Sequence, residues 1–191
     1  QFLSDDVIAR ANPLNPEFDR EAGIESILEG AASGVDSRFA DDPMARAGLH
    51  RTLGNIFATF RRDDLATTHL ERAQALYSEQ LGGSAAATLL AAYDLAWAHS
   101  LAGQLQAAEQ VLQEADRARA GRAEPDLEVE YRRALAYGYW HAGGFRSAEA
   151  LAFFQNALDL FPAIETAAPR DRGTLTINIA DAYLRLGEPL E

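Results

Sequence analysis

Cysteine is absent from this 191-residue chain, and so is lysine. Without cysteine there is no disulfide, no thiolate nucleophile and no zinc–thiolate site. All 17 basic residues are arginine, set against 29 acidic ones, and the formal net charge is −12. A surface this acidic repels phosphate backbones, which argues against nucleic-acid binding through this segment. The exclusive use of arginine reads as compositional bias of the genome and carries no chemistry. No apolar run approaches the ~18 residues of a membrane span, so no membrane contact is expected within the segment. No signal peptide is visible. The chain begins at Gln1 with no initiator Met, which reads as a piece of a longer protein.

The motifs of common catalytic centres are missing too. There is no Gly-rich phosphate loop, nucleophile elbow or metalloprotease helix. The pairs Asp5-Asp6, Asp41-Asp42 and Asp63-Asp64 lack calcium-loop spacing, and adjacent carboxylates diverge, so they read as helix caps and solvated charge. The histidines His50, His69, His99 and His141 lack the short helical spacing of a zinc site. No catalytic, cofactor-binding or metal-ligating residue is assigned, and a non-enzymatic protein without a cofactor is expected.

What is present is a repeat. Ala66, Ala108 and Ala150 lie 42 residues apart, and so do Gly54, Ala96 and Gly138. Leu70, Leu112 and Phe154 keep the same interval, as do Ala73, Ala115 and Ala157. Four columns in register do not arise from helical periodicity alone, and no segment alternates as a half-buried strand does. Turn signals divide the chain into helices. Asp42-Pro43 opens one running to about Phe60, and Asp63 or Asp64 caps the next, to about Leu81. Ser84 caps a third, ending near Gly103, and the fourth covers about Leu105 to Ala120. Glu124-Pro125 opens a fifth that stops at Gly143-Gly144, and a sixth covers about Arg146 to Leu160. A seventh opens at Pro169 to Asp171 and stops near Gly187.

Within a single domain this gives a leading segment over 1–16, a degenerate half repeat over 17–46, and repeats over 47–88, 89–130 and 131–172. A half repeat or cap occupies 173–191. Residues 17–36, with Ile24, Leu28 and Ala31 in the packing columns, read as the second helix of the degenerate unit.

The column set resembles the tetratricopeptide repeat. Its first-helix pattern appears as Leu53, Gly54 and Phe57; Leu95, Ala96 and His99; Tyr137, Gly138 and His141; and Ile179, Ala180 and Tyr183. Its second-helix Ala–large–Ala pattern appears in the three columns at 66–73, 108–115 and 150–157, with Pro162 closing the third. The interval of 42 exceeds the usual ~34 and is similar to the kinesin-light-chain type. The resemblance implies an all-α, right-handed α-α superhelix. The run Phe2-Leu3-Ser4-Asp5-Asp6-Val7-Ile8, with Ala11-Asn12-Pro13 and Arg38-Phe39-Ala40-Asp41-Asp42-Pro43, is similar to the repeat region beyond the membrane span of bacterial CadC/ToxR-type winged-helix regulators. It also resembles segments following some bacterial serine/threonine kinase domains. These resemblances imply a periplasmic sensory or docking module of a membrane-anchored protein; the alternative is a cytoplasmic scaffold or adaptor.

By register with the repeat, the concave face carries Arg51, Asn55 and Thr59, then Leu90, Tyr93, Trp97 and Leu101, then Arg132, Leu135 and Tyr139, then Ile177, Asp181 and Arg185. Aromatics and arginines are the types enriched at binding hot spots. The expected partner is a peptide or protein segment, or a small-molecule signal, seated in that groove. Arg51 and Asn55 resemble part of the carboxylate clamp of chaperone-binding tetratricopeptide domains, with Arg132 as a third member. Asp94 replaces an asparagine of that clamp and Ala136 a basic residue, which points away from chaperone tails and leaves Arg51 and Arg132 as receivers of some other acidic group. His99 and His141 share a column where an aromatic usually packs, which predicts a buried, hydrogen-bonded imidazole at each; the alternative is a stacked pair that charges near pH 6 and loosens the array. Exposed Ile177 and Tyr183 at the open end suggest a homodimer.

Overall fold

A computed structural model describes residues 28–30, 32–164 and 169–187. The leading segment, Ile24, Ala31 and most of the helix expected over 17–36 lie outside them. The described residues are all-helical. In chain order the helices are α1 (Val35–Arg38), α2 (Pro43–Thr59), α3 (Asp63–Leu81), α4 (Ala86–Leu101), α5 (Leu105–Arg119), α6 (Leu127–Gly143), α7 (Ser147–Leu160) and α8 (Pro169–Leu186). A 3₁₀ turn, Phe161–Ala163, follows α7.

Two of the starts follow from carboxylate caps. The Asp42 side chain accepts from the Ala45 amide at 2.9 Å, with Pro43 in the first turn, where a missing N–H costs nothing. Asp126, and not Glu124-Pro125, caps α6 by accepting from the amides of Glu128 and Val129. The expected cap at Asp63 or Asp64 is corrected: both lie inside the first turn of α3, after Arg62, where their charge favours the positive helix end. Ser84 does not cap α4 either. Ala85 precedes the helix, and the Thr88 hydroxyl donates instead to the Gly82 carbonyl at 2.9 Å.

The turn closing α2, α4 and α6 is the same each time. Arg61, Gly103 and Phe145, 42 residues apart, adopt left-handed backbone with φ of 59°, 75° and 59°, and Gly187 continues the column at 73°. Behind each of the first three, an amide reaches back five residues at 2.9 Å: Arg62 to Phe57, Gln104 to His99, and Arg146 to His141. This bond satisfies a carbonyl that the helix end leaves open. Glycine suits the left-handed position; Arg61 and Phe145 bear a cost on the order of 1 kcal/mol there.

Every residue of the four 42-residue columns is buried. Small residues sit where paired helices cross. A Cβ added at Gly54 would lie 2.5 Å from Leu70 Cγ, and one at Gly138 would lie 2.5 Å from the Phe154 ring. In the middle pair, Ala96 and Leu112 share one cluster with Ala115. Burial of each large column residue contributes roughly 1.5–3 kcal/mol. The core is therefore a series. Leu28 and Val35 join Leu53, Phe57, Leu70 and Leu95 across α1–α4. Leu89, Tyr93, Leu112 and Val129 join α4–α6. Tyr131, Phe154, Ile164 and Leu175 join α6–α8. Consecutive helices supply most packing, except that α6 rests mainly on α4 and touches α5 lightly.

Candidate recognition face

Helix α4 is apolar around nearly its whole circumference, yet it carries Asp94, which is 2% exposed. A carboxylate in such a place needs partners. Arg51 Nε donates to its Oδ2 at 2.7 Å, Asn55 Nδ2 donates to the same oxygen at 3.0 Å, and Arg132 Nη1 lies 3.4 Å from Oδ1. Burial pushes this carboxyl up, but the Arg132 and Arg51 guanidinium groups outweigh it and hold the acid below the usual carboxylate range. Three residues expected to meet a ligand are thus brought together on an internal acid that ties α2, α4 and α6. Two guanidinium groups around one carboxylate leave one positive charge on edges that are 21% and 34% exposed. An acidic ligand group would compete with Asp94 there instead of meeting two free cations.

The aromatic part divides. Tyr93 is corrected as a groove residue: its ring is in the core, and its hydroxyl donates to Asp116 Oδ1 on α5 at 2.7 Å. Leu90 is likewise buried. Trp97 is half-buried and meets Tyr139 edge to face at 6.2 Å. The Tyr139 hydroxyl accepts from Asn178 Nδ2 at 2.8 Å. Leu101, Tyr139, Asp181 and Arg185 line one cleft of about 290 Å³ between α4, α6, α7 and α8, floored by Phe154 and Ala150. Asp181 accepts from Arg185 Nε at 2.7 Å, an exposed pair one helical turn apart. The predicted residues therefore form two neighbourhoods, an Asp94 cluster and a partly aromatic cleft, with Trp97 in edge contact with the cleft's Tyr139.

Two further clusters join residues that no local spacing connects. Asp116 accepts from Tyr93, from Tyr137 at 3.0 Å, and from both Nε and Nη2 of Arg133 at 2.8 Å. Burial and this neighbouring carboxylate push the Tyr137 hydroxyl up to about 12. His50 and His69, on α2 and α3, face each other with Nδ1 atoms 2.8 Å apart, and His50 Nε2 lies 3.4 Å from Asp36. His99 is buried and hydrogen-bonded as its column predicts, and the alternative of a His99–His141 stack is corrected. His99 bonds to Gln104 at 2.6 Å, and His141 stacks on Phe153 at 5.3 Å.

The His50–His69 pair has a consequence in acid. One Nδ1 must donate and the other accept, so the contact needs at least one neutral ring and is lost when both are charged. Burial, then the neighbouring His50, pushes His69 down to about 4, and burial lowers His50 as well. Asp36, Arg46 and Arg72 are the charged groups facing them from α1, α2 and α3. A base whose folded pKa is depressed contributes stability above its unfolded value near 6.5 and loses it as pH falls towards the folded one. Thermal stability is expected to be level above pH 6.5 and to drop by on the order of 2 kcal/mol by pH 4.5. A His50→Gln/His69→Leu chain should lose that slope. A wild-type melting temperature constant from pH 7.5 to 4.5 would contradict the assignment.

Among the described residues, no three histidine or acidic side chains group as a metal site requires, and no helix is long and apolar enough to cross a membrane. A scan against protein-family models finds no match, and a search of curated proteins finds none.

Proposed function

We propose that this chain is a non-catalytic recognition module, a right-handed superhelix of tetratricopeptide-type units that binds a peptide or protein segment, or a small-molecule signal, beside Trp97 and Tyr139. The observation that carries this reading is the recurrence, every 42 residues, of one turn and one set of buried small and large residues. Arrays of this kind offer an extended concave surface, and their chemistry lies in binding. The half-exposed Trp97–Tyr139 contact beside the Leu101/Asp181/Arg185 cleft supplies aromatic anchors and a charged rim. The sequence of residues 2–13 and 38–43 supports placing the module in the periplasm, as the sensory part of a membrane-anchored transcription regulator. Ligand binding would then alter the curvature of the array.

A thermal-shift screen of peptides, metabolites and metal ions tests the binding. At least one peptide or metabolite class is expected to raise the melting temperature and to change Trp97 emission in a Trp140→Phe background. Silence across all three sets would sink the reading. For location, the segment in its parent protein should be open to protease in spheroplasts, and protection there would sink the periplasmic part.

A further inference from the structure

Phe145 carries two costs at once. Its side chain is 82% exposed, and its backbone is left-handed at φ 59°. In the column it shares with Arg61, Gly103 and Gly187, two members are glycine and the other is a solvated arginine. A bulky residue held in such a conformation points to a use. Beside it lies the cleft of about 290 Å³ whose walls include Leu101, Tyr139 and Phe154. This is just below the roughly 300–1,000 Å³ of sites for drug-sized molecules, and the apolar walls suit a side chain better than a polar metabolite.

We propose that two copies of this chain pair through the α6–α7 turn, with Phe145 of each inserted into the cleft of the other. The turn that carries the knob also borders the hole, because Ala142, Gly143 and Ser147 line the cleft. A two-fold contact centred on this turn seats both rings at once and closes the assembly. Charge plays no large part: Arg146, next to the knob, is stacked over Trp140 at 3.9 Å, and Asp181 at the rim is already held by Arg185 Nε at 2.7 Å, so the apolar knob carries the contact. Helix α8 adds exposed Ile177 and Leu184, which share a helix face with Asp181 by their spacing. The inference goes beyond ligand recognition: Phe145 of the second copy takes the cleft itself, so pairing competes with any ligand that reaches into it, and the inference survives if no ligand is found.

Sedimentation equilibrium from about 5 to about 500 μM covers the range in which weak pairs populate. The wild-type mass is expected to rise towards two protomers. Phe145→Gly and Phe145→Asn, both compatible with left-handed backbone, should remain single protomers at every concentration, with melting temperatures when dilute that are unchanged or higher. A wild-type chain that stays monomeric throughout would overturn the proposal. So would variants that associate as wild type does, or a mass that climbs past two protomers.

Discussion

Asp94→Ala is expected to lose about 3–5 kcal/mol of stability, the cost of stripping a buried ion cluster of one sign. At this chain length that lowers the melting temperature by roughly 10 °C. The magnitude follows from what remains. Arg51 and Arg132 would face each other across an apolar helix with no anion between them, and Asn55 would lose its acceptor. Asn55 Oδ1 and Arg132 Nε already lack partners among the described residues, so the cluster has no spare bonds to fall back on. Replacing the whole set, as in Arg51→Met/Asn55→Leu/Asp94→Leu/Arg132→Met, should come close to wild-type stability, since a buried ionic cluster and a well-packed apolar one are of similar worth. Chemical denaturation of both variants decides the matter. A loss under about 1 kcal/mol for Asp94→Ala would mean that the two arginines turn out to solvent and that the cluster does not tie α2, α4 and α6.

Phe154→Ala should be as damaging, at about 3–5 kcal/mol, because it removes a large side chain from a packed site. Phe154 lies under Gly138, meets Tyr139 edge to face at 5.3 Å, and shares a cluster with Tyr131, Ile164 and Leu175. It therefore joins α6, α7 and α8 at once. Its column partners are Leu70 and Leu112, so Phe154→Leu should cost about 1 kcal/mol, near the range of volume-conserving exchanges. Equal losses for the alanine and leucine variants would show that the column is not one repeated packing site.

The parts of this fold that follow a fixed interval are legible in the sequence, because each of these helix crossings has the same packing problem to solve. A residue at a helix crossing must be small where its opposite is large, and Gly54, Ala96 and Gly138 declare this through composition alone. The recurring turn was half legible. Gly103 and Gly187 read as helix stops, but nothing in the composition marks Arg61 or Phe145 as left-handed. The Asp94 cluster was hidden for a different reason. Its partners lie on other helices, 43, 39 and 38 residues away, so no local spacing shows them. A signal did exist: Asp94 is the sole carboxylate in the otherwise apolar run of α4. Tyr93 was misplaced because register in a shorter repeat turns it to the groove, whereas a buried hydroxyl needs an acceptor and Asp116 on α5 provides one. The contact of His50 with His69, 19 residues apart, is not legible in sequence, because spacing rules apply within a helix and these two face across a pair.

Recognition at Trp97 is the central claim, and the two tryptophans offer a test with its own control. Trp97 lies half-buried against Tyr139, whereas the Trp140 indole N–H is held by the Leu105 carbonyl at 3.0 Å, away from the Trp97 contact. The measurement is the pair of indole N–H resonances in a ¹⁵N-labelled chain, followed through titration with peptide and metabolite pools. The account predicts that a binding pool shifts the Trp97 resonance and leaves Trp140 in place. A binding pool that moves Trp140 alone, or a library that moves neither, would contradict it.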